Sequence, residues 1–474
     1  MVTIDVKNPR TGLVDHRLPG LDSAGVMAVA ARLRVAQPGW AARPLATRLA
    51  ALGRLADALD SHADAIVAAL EADTGRRHIS RVEVMGVKGM IARWQRDAGP
   101  LIAGVEETLT PTALPGVMAA TRLHPYPLVG IISPWNFPLT LAMIDAVPAL
   151  AAGCAVMIKP SEIAPRFIAP LRAAIADVPE LADVLALIEG DGGTGAALVG
   201  AVDYVAFTGS VATGRRVAAA AAAAFIPASL ELGGKDPMIV LASADPDWAA
   251  GVALRASVLA TGQACQSIER VYVDRAIAGP FLEALVAAAE AVTLNWPDVG
   301  TGDLGPFIDG RQATVVQAQI DDAVAQGARV LAGGRVEDHG GLWLRPTVLV
   351  DVTPEMKVMA DETFGPVIPV TLFDSVDEAV ALANGGDFGL SAAVLAGSIA
   401  EAEAVGVRLR AGAVSLNDGS LTSMIGEAEK SSFGLSGLGP SRMGASGLLR
   451  FFRRQALLRQ SGTAMPLGAW AERG

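Results

Sequence analysis

The sequence predicts an α/β protein built around two parallel sheets, with a smaller third unit. Short apolar runs alternate with alanine-rich helical stretches from residue 128 onward, and each run is closely followed by glycine, proline or serine. Buried parallel strands joined by helices produce this texture. The chain has 474 residues, 51% of them hydrophobic and 18% charged. At roughly 150 residues per domain, this length corresponds to about three structural units that can bury a large core.

The first elements are predicted to be helical. Leucines recur at helical spacing after Pro44, so residues 44–72 predict a helix or a helix pair. Residues 73–75, Asp-Thr-Gly, then supply a stop signal. Strand formers interrupted by proline and glycine, in residues 108–112 and 120–126, predict an extended hairpin.

The strands of the two sheets are expected in two series. The first series comprises LVGII (128–132), AVMI (155–158), ALI (186–188) and YVAF (204–207). The second comprises MIV (238–240), RVYV (270–273) and AVSL (413–416). Ligands of open α/β sheets bind beyond the carboxyl ends of the strands, and pockets often form between domains. We therefore expect the chemistry in a cleft between the two sheets.

Composition and charge exclude several classes of protein. The 38 basic and 49 acidic side chains give a net charge of −11, and nucleic-acid binding is not expected. The one basic cluster, Arg450, Arg453, Arg454 and Arg459, alternates with apolar residues as in an amphipathic strand or helix. No run of about 18 strongly apolar residues predicts a membrane span. Two cysteines cannot form a disulfide framework, and residues 1–12 lack an apolar signal core, so a cytoplasmic protein is expected.

Cys265 is the first candidate catalytic residue. It closes the sequence GQAC, where the backbone N–H groups of a glycine turn could stabilise a thiolate. The alternative interpretation is a small buried side chain, which is what most cysteines are. Cys154 lies in an all-apolar run and is expected to be structural.

Glu231 and Asn136 are two further candidates. Glu231 lies between two leucines, where a buried carboxylate is costly and could serve as a general base; the alternative is an exposed glutamate at a strand end. Asn136 lies in a loop between Pro134 and Pro138. Its amide could donate to an oxyanion, although asparagine is also a common turn residue.

Six short motifs together closely resemble the aldehyde dehydrogenase superfamily. They are PWNFP at 134, KPSE at 159, FTGS at 207, ELGGK at 231, GQAC at 262 and ETFGP at 362, in the order and approximate spacing of that family. No GxGxxG follows a strand, and the family is known to lack it. The resemblance implies an α/β, aldehyde dehydrogenase-like fold. Its parts would be a Rossmann-type cofactor domain (1–105 and 127–237), an α/β catalytic domain (238–430) and a small β oligomerisation domain (106–126 and 431–474).

The resemblance also implies a mechanism. Cys265 would be the nucleophile that attacks the aldehyde, and Asn136 with the Cys265 backbone N–H would form the oxyanion hole. Hydride transfer to the nicotinamide would leave a thioester, which water activated by Glu231 would hydrolyse to a carboxylic acid.

The same resemblance implies NAD as the cofactor, with NADP as the alternative, and no metal. The residues implied to bind it are Trp135, Lys159, Glu162, Gly209, Ser210, Leu232, Glu362 and Phe364. A carboxylate such as Glu162 can accept from the ribose 2′-OH and would repel a 2′-phosphate, which favours NAD.

The substrate is predicted from a departure from the family pattern. The usual FGG(V/I)KxSG segment is replaced by residues 433–442, without a basic residue before Arg442, and apolar Met424, Ile425 and Phe433 lie nearby. These residues favour an aromatic or long apolar aldehyde. The alternatives are a short-chain semialdehyde, CoA-acylating oxidation, which the presence of Glu231 disfavours, a redox-silent thiol esterase, and a non-catalytic structural relative.

The oligomeric state is likewise implied by the resemblance. A homodimer or homotetramer would form through the hairpin at 106–126 and a strand around 449–458. Phe451, Phe452 and Leu457 would then be buried by a partner subunit.

Overall fold

The computed structural model of the chain describes residues 2–106 and 109–472. Its helices are α1 (Ser23–Ala41), α2 (Leu45–Ser61), α3 (Ala63–Thr74), α4 (Arg77–Glu106), α5 (Pro138–Ala152), α6 (Ile168–Ala176), α7 (Pro179–Ala182), α8 (Gly192–Val199), α9 (Val211–Ala223), α10 (Pro246–Val258), α11 (Ala278–Ala291), α12 (Gly310–Ala325), α13 (Lys357–Ala360), α14 (Val376–Ala383), α15 (Ile399–Gly406), α16 (Leu421–Met424) and α17 (Ser446–Leu449). Its strands are β1 (Val2–Lys7), β2 (Val14–Gly20), β3 (Thr110–Pro111), β4 (Val117–Pro125), β5 (Leu128–Ile132), β6 (Ala155–Lys159), β7 (Leu185–Leu187), β8 (Tyr204–Thr208), β9 (Ala228–Glu231), β10 (Asp236–Val240), β11 (Ile268–Asp274), β12 (Arg329–Ala332), β13 (Val336–Asp338), β14 (Leu342–Leu344), β15 (Thr347–Val350), β16 (Val367–Phe373), β17 (Phe388–Gly389), β18 (Ser391–Leu395), β19 (Ala413–Leu416), β20 (Phe433–Gly434), β21 (Gly437–Leu438) and β22 (Phe452–Gln460).

Helices α2 and α3 follow α1 as a pair. The predicted helical segment divides into α2 and α3, whose leucines at positions 52, 55, 59 and 70 are fully buried. Gly75 adopts a left-handed conformation with φ of 66° and ends α3, which confirms the predicted stop.

Within the described residues, the first large sheet has the order β21-β9-β8-β5-β6-β7. Strands β5 to β9 pair in parallel, and short β21 from the C-terminal part of the chain joins antiparallel at β9. Most residues of β5, β6 and β8 are buried, which is why these strands are continuous apolar runs in the sequence.

A second large sheet has the order β12-β15-β16-β11-β10-β18-β19 in the part of the chain that the structure describes. It is parallel apart from β12, which pairs antiparallel with β15 at one edge. All seven strands predicted in the two series are found, with ends that differ by at most two residues.

A third sheet has the order β22-β4-β3. Antiparallel pairing of β3 with β4 confirms the predicted hairpin, apart from Thr108, which lies outside the described residues. The expectation that Phe451 and Phe452 are buried by a partner is wrong. Both side chains are buried within this chain, because Phe451 packs on Tyr204 of β8 with ring centroids 5.4 Å apart.

The connection from β9 to β10 fixes where the candidate residues meet. Strand β9 ends at Glu231 in the first sheet, and β10 begins at Asp236 in the second. Residues 232–235 therefore cross between the two sheets. No helix in the described part of the chain is both long and apolar enough to cross a membrane.

Candidate active site

The nucleophile loop has an unusual backbone. Ala260, Thr261 and Gly262 all adopt left-handed conformations, with φ of 57°, 61° and 65°. A Cβ added at Gly262 would lie 2.3 Å from the carbonyl oxygen of Gly365, so the loop packs directly on the ETFGP segment. The Thr261 hydroxyl stabilises the turn by donating to the Gly305 carbonyl at 3.1 Å. The non-amide residues at 260 and 261 are thus part of a strained turn that presents Cys265.

Cys265 is half-buried and faces groups of both charges. Burial raises the pKa of its thiol to about 12, and the carboxylates of Glu231, Asp236 and Glu362 also raise it, whereas the Lys430 ammonium lowers it. These surroundings favour the protonated thiol over the thiolate.

Asn136 is buried and held beside the nucleophile loop. Its Nδ2 donates to the Gln263 carbonyl at 3.0 Å, two residues before Cys265. An amide nitrogen carries two hydrogens, so a second N–H can serve an oxyanion. Asn136 therefore lies beside the loop that carries Cys265, and the Cys265 thiol also interacts electrostatically with Glu231.

Arg76 links the same two loops and was not predicted. Its guanidinium is buried and donates to the main-chain carbonyls of Asn136, at 3.2 Å, and Ala260, at 2.5 Å. Burial lowers the pKa of Arg76 to about 9. In the sequence it follows the helix stop at Gly75, and no pattern distinguishes it from an exposed arginine.

Glu231 lies half-buried at the end of β9, opposite a buried arginine. Its Oε1 lies 4.0 Å from Arg442 Nε. Arg442 is itself anchored, because its Nη2 donates to Asp145 Oδ2 at 2.9 Å and to the Thr208 hydroxyl at 2.5 Å. Burial alone would raise the pKa of Asp145, but Arg442 and Arg450 hold it below its usual range. The carboxylate of Glu231 therefore has a fixed cationic neighbour.

The predicted adenosine-side residues cluster at the carboxyl ends of β6 and β8. Lys159 Nζ donates to Glu162 Oε2 at 2.8 Å, so the two predicted residues already bind each other. Ser210 caps the N-terminus of α9 by accepting from the Thr213 N–H at 3.4 Å, next to Gly209. The N–H groups of a helix N-terminus attract anions, so this position is compatible with the predicted pyrophosphate site.

The predicted nicotinamide-side residues pack on residues 232–235. A Cβ at Gly233 would lie 2.4 Å from Glu362 Oε2, and the Gly234 N–H donates to Glu362 Oε1 at 3.2 Å. Burial, reinforced by the charge of Glu269, raises the pKa of Glu362 to about 8. A half-buried carboxyl group beside two glycines fits a role in holding the hydroxyls of a dinucleotide.

Aromatic and aliphatic side chains complete this side of the site. Phe364 has a φ of 53°, and its ring meets Trp135 edge-on with centroids 5.4 Å apart. Leu232 is buried against Gly214 of α9, where a Cβ would lie 2.5 Å from the leucine side chain. The predicted cofactor residues thus form two groups, one at the ends of β6 and β8 and one at residues 232–235.

The predicted substrate residues are less enclosed. Met424, Ile425 and Phe433 are all exposed, by 60%, 49% and 44% respectively. Lys430, which sequence reasoning missed, is instead buried, and its Nζ has no hydrogen-bond partner. In the described residues, no group of three or more His, Cys, Asp or Glu side chains could hold a metal ion.

The match to a known family agrees with this geometry. The model of the aldehyde dehydrogenase family matches residues 2–457 of the chain. The chain belongs to this family. It is accordingly an oxidoreductase that oxidises aldehydes, and the predicted fold class, an α/β aldehyde dehydrogenase fold, is confirmed.

Individual relatives cover nearly the whole chain. A "Putative succinate-semialdehyde dehydrogenase", described as NADP(+)-dependent, from Mycolicibacterium smegmatis is 38% identical over 452 residues, which are 94% of this chain and 87% of the relative. The 4,4'-diapolycopene aldehyde oxidase of a Methylomonas species is 35% identical over 458 residues, which are 95% of this chain and 84% of the relative. The solved structure of "Putative Aldehyde Dehydrogenase PutA" from Anabaena variabilis has 48% identity and a TM-score of 0.95, and the match covers 98% of this chain and 99% of the other.

Proposed function

We propose that this chain oxidises an aldehyde to a carboxylic acid with NAD(P), using Cys265 as nucleophile, Asn136 as oxyanion donor and Glu231 as general base. The observation that carries the proposal is the 3.0 Å hydrogen bond from Asn136 Nδ2 to the Gln263 carbonyl. It fixes the amide beside the loop that presents Cys265.

In the first step the Cys265 thiol gives its proton to solvent, and its sulfur attacks the aldehyde carbon. A C–S bond forms, and the carbonyl π electrons move to oxygen to give a thiohemiacetal oxyanion on Cys265. The free N–H of Asn136 and the Cys265 backbone N–H stabilise this charge. Losing one such donor typically costs about 3–4 kcal/mol of transition-state stabilisation.

The second step oxidises the carbon attached to sulfur. The nicotinamide supplies the hydride acceptor when it is bound. Glu362, whose carboxylate lies against the Gly233–Gly234 backbone, would hold the ribose, and Phe364 would pack on the ring. The oxyanion re-forms a C=O bond as the hydride leaves, and a thioester on Cys265 remains.

The third step hydrolyses the thioester. Glu231 takes a proton from water, whose oxygen attacks the acyl carbon, and the C–S bond breaks to release the acid. The sum is aldehyde, NAD(P)⁺ and water giving carboxylate, NAD(P)H and two protons. The Arg442 guanidinium lies 4.0 Å from the Glu231 carboxylate on the same side of the site.

The choice of nucleotide depends on Glu162. Its carboxylate would face the adenosine ribose and disfavour a 2′-phosphate, which supports NAD. Against this, Lys159 already neutralises it at 2.8 Å, and the mycobacterial relative is described as NADP(+)-dependent. NAD is proposed as the preferred cofactor and NADP as a second substrate.

For the aldehyde we propose an aromatic or long apolar compound. The apolar Met424, Ile425 and Phe433 support this choice, as does the name of the Methylomonas relative, which acts on a diapolycopene aldehyde. A specific observation favours a second candidate, a short carboxylated semialdehyde. The unpartnered ammonium of Lys430 acts on Cys265 and could neutralise a substrate carboxylate, and other relatives are named for succinate semialdehyde.

Domain roles are also part of the proposal. The first sheet and its helices (1–105 and 127–237) are assigned to cofactor binding, the second (238–430) to catalysis, and residues 106–126 with 431–474 to assembly into a homodimer or homotetramer. The C-terminal part contributes more than assembly, because β21 pairs with β9 and Arg442 faces Glu231.

Glu231→Gln provides the decisive test. We expect one equivalent of NADH per site in a rapid burst, followed by a steady-state rate that is about 100-fold or more below wild type, because deacylation lacks its base. Stopped-flow absorbance at 340 nm with aromatic, long apolar and carboxylated aldehydes, repeated with NADP, measures both phases.

The control is Cys265→Ala, which should give no burst. Unchanged steady-state turnover in Glu231→Gln would contradict the base assignment. Acyl-CoA in place of free acid, or ester hydrolysis without any nucleotide-dependent oxidation, would favour one of the two enzymatic alternatives.

A further inference from the structure

A buried ion pair lies outside the set of predicted site residues. Lys235 and Glu269 are both 3% exposed, and Lys235 Nζ donates to Glu269 Oε2 at 2.7 Å. Removing one partner of such a pair is costly, because it leaves the other charge buried without compensation.

Both oxygens of Glu269 bind the backbone of the ETFGP loop. Oε2 accepts from the Thr363 N–H and Oε1 from the Phe364 N–H, each at 2.8 Å. Phe364 has a left-handed φ of 53°, a conformation that a phenylalanine adopts only when its surroundings enforce it. The carboxylate therefore holds two successive N–H groups of a strained turn.

The Thr363 side chain is fixed by the same cluster. Lys235 Nζ donates to its hydroxyl at 2.8 Å, and that hydroxyl donates to Gln319 Oε1 at 2.7 Å. Gln319 Nε2 in turn donates to the Glu362 carbonyl at 3.1 Å. Glu362, Thr363 and Phe364 are thus held by side chains of three other segments.

The pair also connects the two catalytic segments. Glu269 lies four residues after Cys265, on β11, and Lys235 lies four residues after Glu231, just before β10. Since β10 and β11 pair in parallel, with Asp236 opposite Ile268, the two charges lie at the N-terminal ends of two neighbouring central strands of the second sheet. One carboxylate therefore keeps the nucleophile segment, the base segment and the ETFGP loop in a single arrangement.

We propose that Glu269 is a positioning residue for nicotinamide: it holds Glu362 and Phe364 at the distance from Cys265 that hydride transfer requires. This inference rests on the proposed function, in which Glu362 and Phe364 hold the nicotinamide ribose and ring. The negative charge of Glu269 also reinforces burial in raising the pKa of Glu362.

The test is a double-mutant cycle between Glu269→Gln and Glu362→Gln. In Glu269→Gln the side chain keeps its volume, but one carboxylate oxygen is replaced by an NH2 group that faces a backbone N–H of the loop. The change also removes the ion pair with Lys235. If Glu269 acts through Glu362, KM for NAD should rise about tenfold in Glu269→Gln, but less than about twofold when the change is made in the Glu362→Gln background. The cycle is measured with the full-length enzyme and its best aldehyde.

A matched control separates positioning from general damage. Asp73→Asn also removes a buried carboxylate that accepts a backbone N–H, from Arg166 at 2.7 Å, far from these loops in the sequence. It should leave KM for NAD unchanged. Equal effects of Glu269→Gln in the two backgrounds, or an equal rise of KM in Asp73→Asn, would overturn the proposal.

A second measurement does not require turnover. Hydrogen exchange of the Thr363 and Phe364 amides should accelerate in Glu269→Gln, and NADH binding followed by its fluorescence should weaken about tenfold. Unchanged NADH affinity in this variant contradicts the proposal. If wild type binds NADH but oxidises no aldehyde, the proposed function fails, and the weaker NADH binding of the variant still supports the positioning role.

Discussion

At the scale of the residue, the charge on Cys265 is decided by neighbours that pull in opposite directions. Burial and three carboxylates, Glu231, Asp236 and Glu362, raise its pKa, and Lys430 is the cation that lowers it. Arg442 also interacts electrostatically with the thiol, but it is bound to Asp145. The ammonium of Lys430 has no hydrogen-bond partner, so its field is available to the sulfur.

Lys430→Met should therefore make Cys265 harder to ionise. Removing the cation raises the pKa of the thiol further, and we expect alkylation by iodoacetamide at pH 8 to slow about tenfold, which corresponds to a shift of about one pH unit. Alkylation rates from pH 6 to pH 10, followed by mass spectrometry of the Cys265 peptide, measure the shift.

Two controls accompany this variant. Lys430→Arg keeps the charge and should retain most of the wild-type rate, and Lys357→Met removes an exposed lysine and should have no effect. An unaltered pH profile in Lys430→Met would show that the ammonium does not act on the sulfur.

Candidate site residues that lie within a short motif could be predicted from the sequence. Charged residues outside such a motif could not. Asn136, Glu231 and Cys265 were found because each lies in a motif of characteristic residues. Arg76 and Lys430 have no such context, and only the folded chain shows that both are buried beside the nucleophile loop or its thiol. Burial of a charge depends on long-range packing, which a local pattern does not encode.

At the scale of the element, strand β22 is an exposed strand at the edge of its sheet in the described residues. It pairs with β4 over all nine of its residues, yet only its first residue, Phe452, is buried. In the described part of the chain it forms the edge of its sheet, and natural proteins cover or protect long edge strands. Leu458 on this edge is 70% exposed.

We therefore expect Leu458→Asp to weaken self-association. A charge placed in an apolar contact between subunits should raise the dissociation constant at least about tenfold, or about 1.4 kcal/mol. Size-exclusion chromatography with light scattering, over a dilution series, reports the mass of wild type and variant.

Val35→Asp serves as the comparison, since Val35 is 84% exposed on α1, away from this sheet. A monomeric wild type, or a Leu458→Asp protein with unchanged mass at every dilution, would contradict the assignment of this edge to assembly.

Elements that are locally encoded were the most predictable. Strands β5 and β19 match the predicted ranges because each is a continuous apolar run. The two-residue strand β21 could not be predicted, because its pairing with β9 joins residues about 200 positions apart in the chain. The same long-range pairing brings Arg442 to Glu231, which explains why that contact was missed.

At the scale of the whole molecule, buried carboxyl groups make stability depend on pH. Burial raises the pKa of Asp73, Glu83 and Asp236 to about 7 in each case. They lie on α3, α4 and β10, so the effect is distributed through the fold. In the unfolded chain such groups titrate near pH 4.

Whether stability rises or falls with pH depends on which state, folded or unfolded, holds more protons. Between about pH 4 and pH 7 the folded state keeps these protons and the unfolded state has lost them. The stabilisation is complete below about pH 4 and is lost as the pH rises through 7, by an amount on the order of a few kcal/mol per group. The net charge of −11 adds to the effect, since further ionisation increases repulsion.

Glu83→Gln tests this dependence at one site. Glu83 is buried and accepts from the Thr140 N–H at 2.9 Å, a bond that the glutamine oxygen can retain. The variant cannot ionise, so its melting temperature minus that of wild type should increase from pH 5 to about pH 7 and level off above it. Scanning calorimetry at fixed ionic strength measures this difference. The control is Glu283→Gln, at an exposed position on α11, for which the difference in melting temperature should not change with pH. A difference for Glu83→Gln that does not change with pH would mean that this carboxyl group keeps an ordinary pKa in the folded protein.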